Sequence, residues 1–182
     1  FELPFEWVRT RVKPDRDRQN RQGRKRNWWR FGETMPKMRR LTTARSRYLA
    51  TSLSAKHRIF VWMEHPTLAD STCVVVAHDH DAMFGMLHSR FHLAWATKRG
   101  NWLGAGNDSR YTPTTTFETF PFPEGLTPNI PATDYADDPR AITIAIAAKC
   151  LDDLRNAWLN PPDLIDIVPE VVPGYPDRIL PK

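Results

Sequence analysis

The spacing of hydrophobic positions changes repeatedly along this chain. Residues 1–30 follow neither a helical nor a strand period, and Pro14 with its mixture of Asp, Arg, Gln and Asn predicts an extended connector. Pro36 introduces one helix over Lys37–Arg47, after which the period falls to two. Tyr48–Ser54 and His57–Glu64 are predicted strands, bounded by Ala55-Lys56 and His65-Pro66. Thr72–His78 is a third strand, expected at the centre of its sheet because it is apolar on both faces. From Asp81 the spacing turns helical: Phe84, Leu87, Phe91, Ala94 and Trp95 fall on one stripe, and Gly100 stops the helix.

Asn101–Thr116 reads as a polar loop carrying Trp102, Asn107, Asp108 and Arg110, and Phe117–Pro123 as an extended segment because of its two prolines. Residues 124–136 form a Pro/Thr/Asp linker. A helix then opens with Asp138 as N-cap and Pro139 at its first position, with an apolar stripe of Ile142, Ile146 or Ala147, Leu151, Leu154 and Trp158. The tail, residues 160–182, is expected to wrap the surface as an extended, proline-rich arm. The fold class is therefore mixed α+β: a small β-sheet with packed helices, a long polar loop, and a C-terminal helix with an extended tail.

Composition narrows the function. With 182 residues, 41% hydrophobic and 11% aromatic, the chain has enough apolar side chain for an ordinary core. The longest uninterrupted apolar stretch, Cys73–Ala77, is far below the roughly 20 residues of a membrane-spanning helix. Two cysteines 77 positions apart build neither a disulfide framework nor a CxxC zinc site, and fit a reducing compartment. The chain opens at Phe1 without a secretory leader pattern and reads as an excised fragment.

Charge is uneven. Residues 1–47 hold 15 Lys+Arg against 5 Asp+Glu, whereas residues 48–182 hold 11 against 16, so the net +5 conceals a strongly basic first quarter. Polyanion contact and a solvated basic linker are the two readings of such a run. The excess of Arg, whose planar fork suits phosphate oxygens and guanine edges, favours the first. Trp28-Trp29-Arg30-Phe31 should pin the run to a folded body.

No catalytic pattern stands out. Asn160-Pro161-Pro162-Asp163 has Asp where a base-flipping amino-methyltransferase motif has an aromatic residue, and it follows a helix; it reads as a helix stop. His78-Asp79-His80-Asp81, with His88 and His92 at i, i+4, has metal-ligand types, but Asp79 or Asp81 is needed as a helix cap, and no metal is expected. There is no P-loop and no Gly-x-Ser-x-Gly elbow. Lys56-His57-Arg58 places three donors at a predicted hairpin tip, where mutual repulsion is relieved by an anion opposite. Asn101–Arg110 combines Asn, Asp and Arg, the side chains that pair with adenine, cytosine and guanine edges.

Several motifs occur together in order: Phe5-Glu6-Trp7-Val8, Val12-Lys13-Pro14, Trp28-Trp29 with Phe31-Gly32, Arg47-Tyr48-Leu49-Ala50-Thr51, Lys56-His57-Arg58, Leu87-His88-Ser89, and the block from Arg110-Tyr111-Thr112-Pro113 to Phe120-Pro121-Phe122-Pro123. Over about residues 1–160 this set resembles the MmeI-like family of type IIL restriction-modification enzymes and related class I adenine-specific DNA methyltransferases. The resemblance implies a target recognition domain. In that family an upstream domain binds S-adenosylmethionine and methylates adenine N6, sometimes with a fused endonuclease. It implies a basic connector at 1–35, a recognition domain at 36–123, a linker at 124–136 and a C-terminal helix and tail at 137–182. The partners it implies are double-stranded DNA and the methyltransferase domain of the same parent chain, in a bacterial-type cytoplasm, with no cofactor in this fragment and no membrane.

The family's specificity positions map to Gly106, Asp108 and Arg110, with Asn107 beside them; Gly106 departs from the charged residues common there. Arg45, Arg47, Lys56, His57, Arg58, Lys98 and Arg99 are the expected phosphate contacts. An alternative function is a protein-interaction domain that docks a partner subunit through its basic arm.

Overall fold

The first stretch is helical, contrary to the expected extended connector: α1 (Glu2–Arg11), α2 (Lys13–Asp17) and α3 (Gln22–Arg26) follow one another closely. Pro14 sits in the first turn of α2, where its missing N–H removes no helical bond. The charges lie at helical spacing, pairing Glu6 with Arg9 at 3.2 Å and Lys13 with Asp17 at 2.6 Å. Trp28 packs on Phe5 at 5.6 Å between ring centroids and on Trp29 at 5.7 Å, so this aromatic cluster closes the basic segment on itself, while Phe31 stays exposed. The computed structural model describes residues 2–32, 34–103 and 108–182, and the chain forms two units, Phe1–Lys37 and Met38–Lys182.

In the second unit, α4 (Pro36–Thr43) leads into a three-stranded antiparallel sheet of β1 (Arg47–Ser52), β3 (Phe60–Glu64) and β4 (Cys73–Val76). Its order is β3-β1-β4, so the centre is β1, and the apolar β4 is an edge strand. The order corrects the expectation for Thr72–His78. Apolarity on both faces of β4 reflects cover by loops: Val74 and Val75 share a cavity wall with Leu41, Pro113, Phe117 and Pro128. After β1 the chain continues as β2 (Ser54–Ala55), which leaves this sheet for another.

The stripe from Asp81 is two helices, α5 (Asp81–His88) and α6 (Arg90–Arg99). Ser89 breaks it: its backbone is extended (ψ 151) and its hydroxyl accepts from His92 N–H as the N-cap of α6. The register therefore shifts, and Phe91 and Ala94 face solvent while His92 and Ala96 are buried. The cap of α5 is His80, whose Nδ1 accepts from Ala82 N–H, rather than Asp79 or Asp81. Gly100 ends α6 in an extended conformation. A Cβ there would lie 2.6 Å from the Ala96 carbonyl and 2.7 Å from that of Arg110.

The expected polar loop Asn101–Thr116 contains two strands, β5 (Asn101–Leu103) and β6 (Asp108–Arg110), and one helical turn, α7 (Pro113–Thr116). Phe117–Phe120 continues as turns instead of an extended segment. Residues 124–136 pack through Leu126 and Tyr135, both buried, and end in a 3₁₀ turn at Ala132–Tyr135.

Helix α8 (Pro139–Leu159) starts as expected, with the Asp138 carboxylate accepting from Arg140 N–H. The face it buries was not the one expected. Ala141 and Ala148 are buried with Ile144 and Ala145 beside them, whereas Ile146, Leu154 and Trp158 are 68%, 65% and 79% exposed. Small residues win because α5 approaches closely: a Cβ at Gly85 would meet Ile144 Cγ2 at 2.6 Å. The tail folds back as a hairpin, β7 (Ile165–Val168) with β8 (Arg178–Pro181), instead of an extended arm.

Candidate nucleic-acid interface

β2, β6 and β5 form a second antiparallel sheet in that order. Its register pairs Ser54 and Asn101 with Arg110, Ala55 and Trp102 with Ser109, and Leu103 with Asp108. Because side chains alternate along a strand, Asp108 and Arg110 share one face with Asn101, Leu103 and Ser54. Arg110 is exposed and Asp108 half-buried, and among the described residues neither has an ion-pair partner. Gly106 and Asn107 lie outside the described residues.

The cations divide into two groups. Lys56 and His57 are exposed on the turn directly after β2, and Lys98 and Arg99 are exposed at the end of α6 directly before β5, so all four adjoin the sheet that carries Arg110. Arg99 lies over Trp95, 5.1 Å from its ring centroid. Arg45 and Arg47 are at the other end of β1, roughly 17 Å away for five strand steps. There Arg45 Nη1 donates to Leu41 O at 2.7 Å. Arg47 donates to Asp79 O and to Asp81 Oδ1, the latter at 3.0 Å, and stacks 3.8 Å over Trp62. These two are fastened into the fold and are not brought to the β2-β6-β5 sheet.

Arg58 also turns inward. Its Nη1 donates to Thr51 Oγ1 and Ser52 O, its Nη2 donates to Ser109 O at 2.7 Å, and its guanidinium lies 5.0 Å from the Tyr111 ring centroid. The crowding of Lys56, His57 and Arg58 is thus resolved within the protein for one of the three.

Below the sheet is a polar-aromatic floor. Tyr111 is buried, its N–H donates to Leu53 O at 2.8 Å, and its hydroxyl donates to His92 Nε2 at 3.0 Å. His92 Nδ1–H donates to Leu87 O at 2.9 Å. Phe120 meets His92 edge-on at 4.9 Å and Phe122 at 4.8 Å, so the block after Arg110 supports the sheet from beneath. His88 Nε2 accepts from Phe60 N–H and from Arg155 Nη2, while its Nδ1–H donates to Phe84 O. Burial lowers both His88 and His92 from 6.5 to about 4, holding them neutral, and raises the Tyr111 hydroxyl. His78 Nδ1 accepts from His80 N–H and its Nε2 meets the Tyr135 hydroxyl at 3.2 Å. Both ring nitrogens of His78, His88 and His92 are engaged in this way, and His80 Nδ1 caps α5; among the described residues no cluster of three ligand-type side chains converges.

The family model described as MmeI, target recognition domain, matches residues 5–124. The chain belongs to that family. Neither the curated proteins nor the solved structures contain a match. The target recognition domain match takes in the basic helices as well as both sheets, and it ends just after Phe122-Pro123. Sequence-specific recognition of DNA in an MmeI-type restriction-modification system follows from the membership.

Within the recognition domain, sequence reasoning missed Asn101, Leu103 and Ser54 as neighbours of Arg110 on one face. The signal was present: Asn101–Leu103 and Asp108–Arg110 flank a Gly-containing gap, which is a hairpin pattern. In the basic unit, Arg18, Arg21 and Arg24 line a concave polar surface with Gln19 and Asn20. No helix among the described residues is long and apolar enough to cross a membrane.

Proposed function

We propose that the β5–β6 hairpin reads base edges in the DNA groove, with Arg110 and Asp108 discriminating bases and Lys56, His57, Lys98 and Arg99 holding phosphates. The observation that carries this is the placement of Asp108 and Arg110 two residues apart on one face of β6, the middle strand between β2 and β5, with exposed cations next to both flanking strands. β6 carries these side chains between β2 and β5, with neighbouring strands about 4.8 Å apart, and would present them to a B-DNA major groove about 12 Å wide. Arginine suits guanine O6 and N7, and a carboxylate accepts from cytosine N4; each such contact contributes about 1–3 kcal/mol of discrimination. The basic helices, with Arg18, Arg21 and Arg24 around one concavity, add phosphate contacts that carry no sequence information.

The parent enzyme on this reading is an adenine-N6 DNA methyltransferase, with this chain supplying target choice. The residues present do not fit S-adenosylmethionine: no helix among those described opens on a glycine-rich loop, their caps being side chains such as His80, Ser89 and Asp138. The cofactor therefore belongs to a methyltransferase domain of the parent, which is also this module's nearest partner.

The test is a pair of substitutions in that parent. Arg110→Ala relaxes preference at one base pair, losing about 1–3 kcal/mol of discrimination, whereas Lys56→Ala weakens binding to all sequences alike. Equal, uniform losses from both would refute the division between reading and positioning side chains.

A further inference from the structure

The turn Lys56-His57-Arg58 sends two side chains outward and one inward, and the inward one joins three separate parts of the fold. Arg58 Nη1 reaches Thr51 Oγ1 and Ser52 O at the end of β1, the central strand of the frame sheet. Its Nη2 donates to Ser109 O at 2.7 Å, on the strand that carries Arg110 one residue later. Its flat face covers the buried Tyr111 ring, the residue after Arg110.

The position of the Ser109 bond is informative. β2 has only two residues, and Ala55 with Ser109 is the last pair of its register. The guanidinium therefore bonds β6 at the last of its residues that β2 pairs among the described residues. Thr51 Oγ1, which receives one Arg58 bond, itself donates to Ile59 O at 2.8 Å and so fixes the turn that delivers Arg58. A lysine could supply the charge but not this geometry, since an ammonium is a point donor on a flexible stem and has no planar face to lay on Tyr111.

We infer that Arg58 is a positioning residue for base reading: one guanidinium ties the end of β1 to Ser109 and Tyr111, fixing the strand that presents Asp108 and Arg110. This rests on the reading of the β5–β6 hairpin proposed above. A displacement of about 1 Å in a recognition group is enough to weaken a directional hydrogen bond, so a loosened β6 lowers selectivity more than it lowers general affinity for DNA. The role differs from that of Lys56 and His57, whose exposed heads act on phosphates directly.

The test uses the whole 182-residue chain with Arg58→Lys and Arg58→Ala, read in two ways. The first is amide hydrogen exchange. Loss of charge-assisted bonds to Ser109 and Thr51 speeds exchange at β5 and β6 about tenfold or more in both variants, with β3 and the start of β1, Arg47 to Leu49, unchanged. The second is selection from a duplex pool with a randomised central segment. Arg58→Lys keeps non-selective binding within about twofold while selectivity falls about tenfold, because the charge remains and the fork is gone. Arg58→Lys matching the unaltered chain in both readouts overturns the inference. So does exchange that accelerates equally in β3 and the start of β1, which would make Arg58 a general stabiliser. An unaltered chain that selects nothing overturns the base-reading proposal and this inference together; one that selects, with Arg58→Lys selecting equally well, overturns this inference alone.

Discussion

Mild acid should loosen this protein from beneath its β2-β6-β5 sheet. His92 has no solvent exposure, donates from Nδ1 to Leu87 O, and receives the Tyr111 hydroxyl proton at Nε2. Protonating Nε2 would set two donors facing each other inside a buried aromatic cluster. Burial accordingly holds His92 at about 4 against an ordinary 6.5. The unfolded chain then binds more protons than the folded one throughout that interval, so the contribution is intact above 6.5, declines as pH falls, and is fully lost below about 4. The limiting loss is about 3 kcal/mol, of which about 2 kcal/mol is realised by pH 5. With a urea dependence of about 2 kcal/mol per molar, the unfolding midpoint falls by about 1 M between pH 7 and 5. His88, shifted in the same direction by burial, enlarges the effect. The measurement is urea unfolding at both pH values for the unaltered chain, His92→Gln and, as a control on the exposed turn, His57→Gln. His92→Gln cannot titrate but offers an oxygen to Tyr111, and its pH dependence shrinks by about 2 kcal/mol. Equal midpoints at the two pH values, or a His92→Gln chain that keeps the full dependence, would refute the reasoning.

Two further outcomes follow from the packing and the charges. Gly85→Ala gains about 1 kcal/mol of helix propensity but forces α5 and α8 apart, since the new Cβ lies 2.6 Å from Ile144 Cγ2 and 3.0 Å from Ala148 Cβ. Overpacking of that kind costs about 1–3 kcal/mol, so a net loss of roughly 1 kcal/mol is expected in denaturant unfolding, and a stabilised variant would contradict the close approach of the two helices. For DNA, each phosphate neutralised contributes roughly −0.9 to the slope of log K against log salt, so Lys56, Lys98 and Arg99 alone give about −3. The basic helices steepen it. Fluorescence titrations that show affinity independent of salt would remove the phosphate-holding role.

What the sequence made legible depended on large side chains and strong local signals. The period-two runs after Tyr48 located β1 and β3, and Asp138-Pro139 located the start of α8. Failures arose where small or polar residues decide the outcome. The α8 stripe was chosen by its isoleucines, leucines and tryptophan, but the α5 contact is made through Gly85, Ala141 and Ala148, which carry little hydropathy and permit the nearest approach. Ser89 divided a continuous-looking stripe because its hydroxyl satisfies a backbone donor better at a cap than within a helix. Arg47 and Arg58 share the composition of phosphate-binding arginines yet stack on Trp62 and Tyr111, an outcome fixed by partners distant in sequence. For the proposed reading site, Asp108, Arg110 and Lys56 are expectations from residue type and family resemblance, while the sheet that carries Asp108 and Arg110 and adjoins Lys56 depends on β2 leaving the frame for β6, which no local pattern announces.

On the proposed reading, β6 is gripped by its main chain and spoken through by its side chains. Leu53 O holds Tyr111 N–H, and Arg58 holds Ser109 O, so none of these attachments depends on which residue stands at 101, 103, 108 or 110. Those four positions can therefore diversify while their mount stays put. On that proposal, new target preferences become accessible by single exchanges at the display surface, whereas Tyr111 and the residues beneath it are committed to keeping the mount in place.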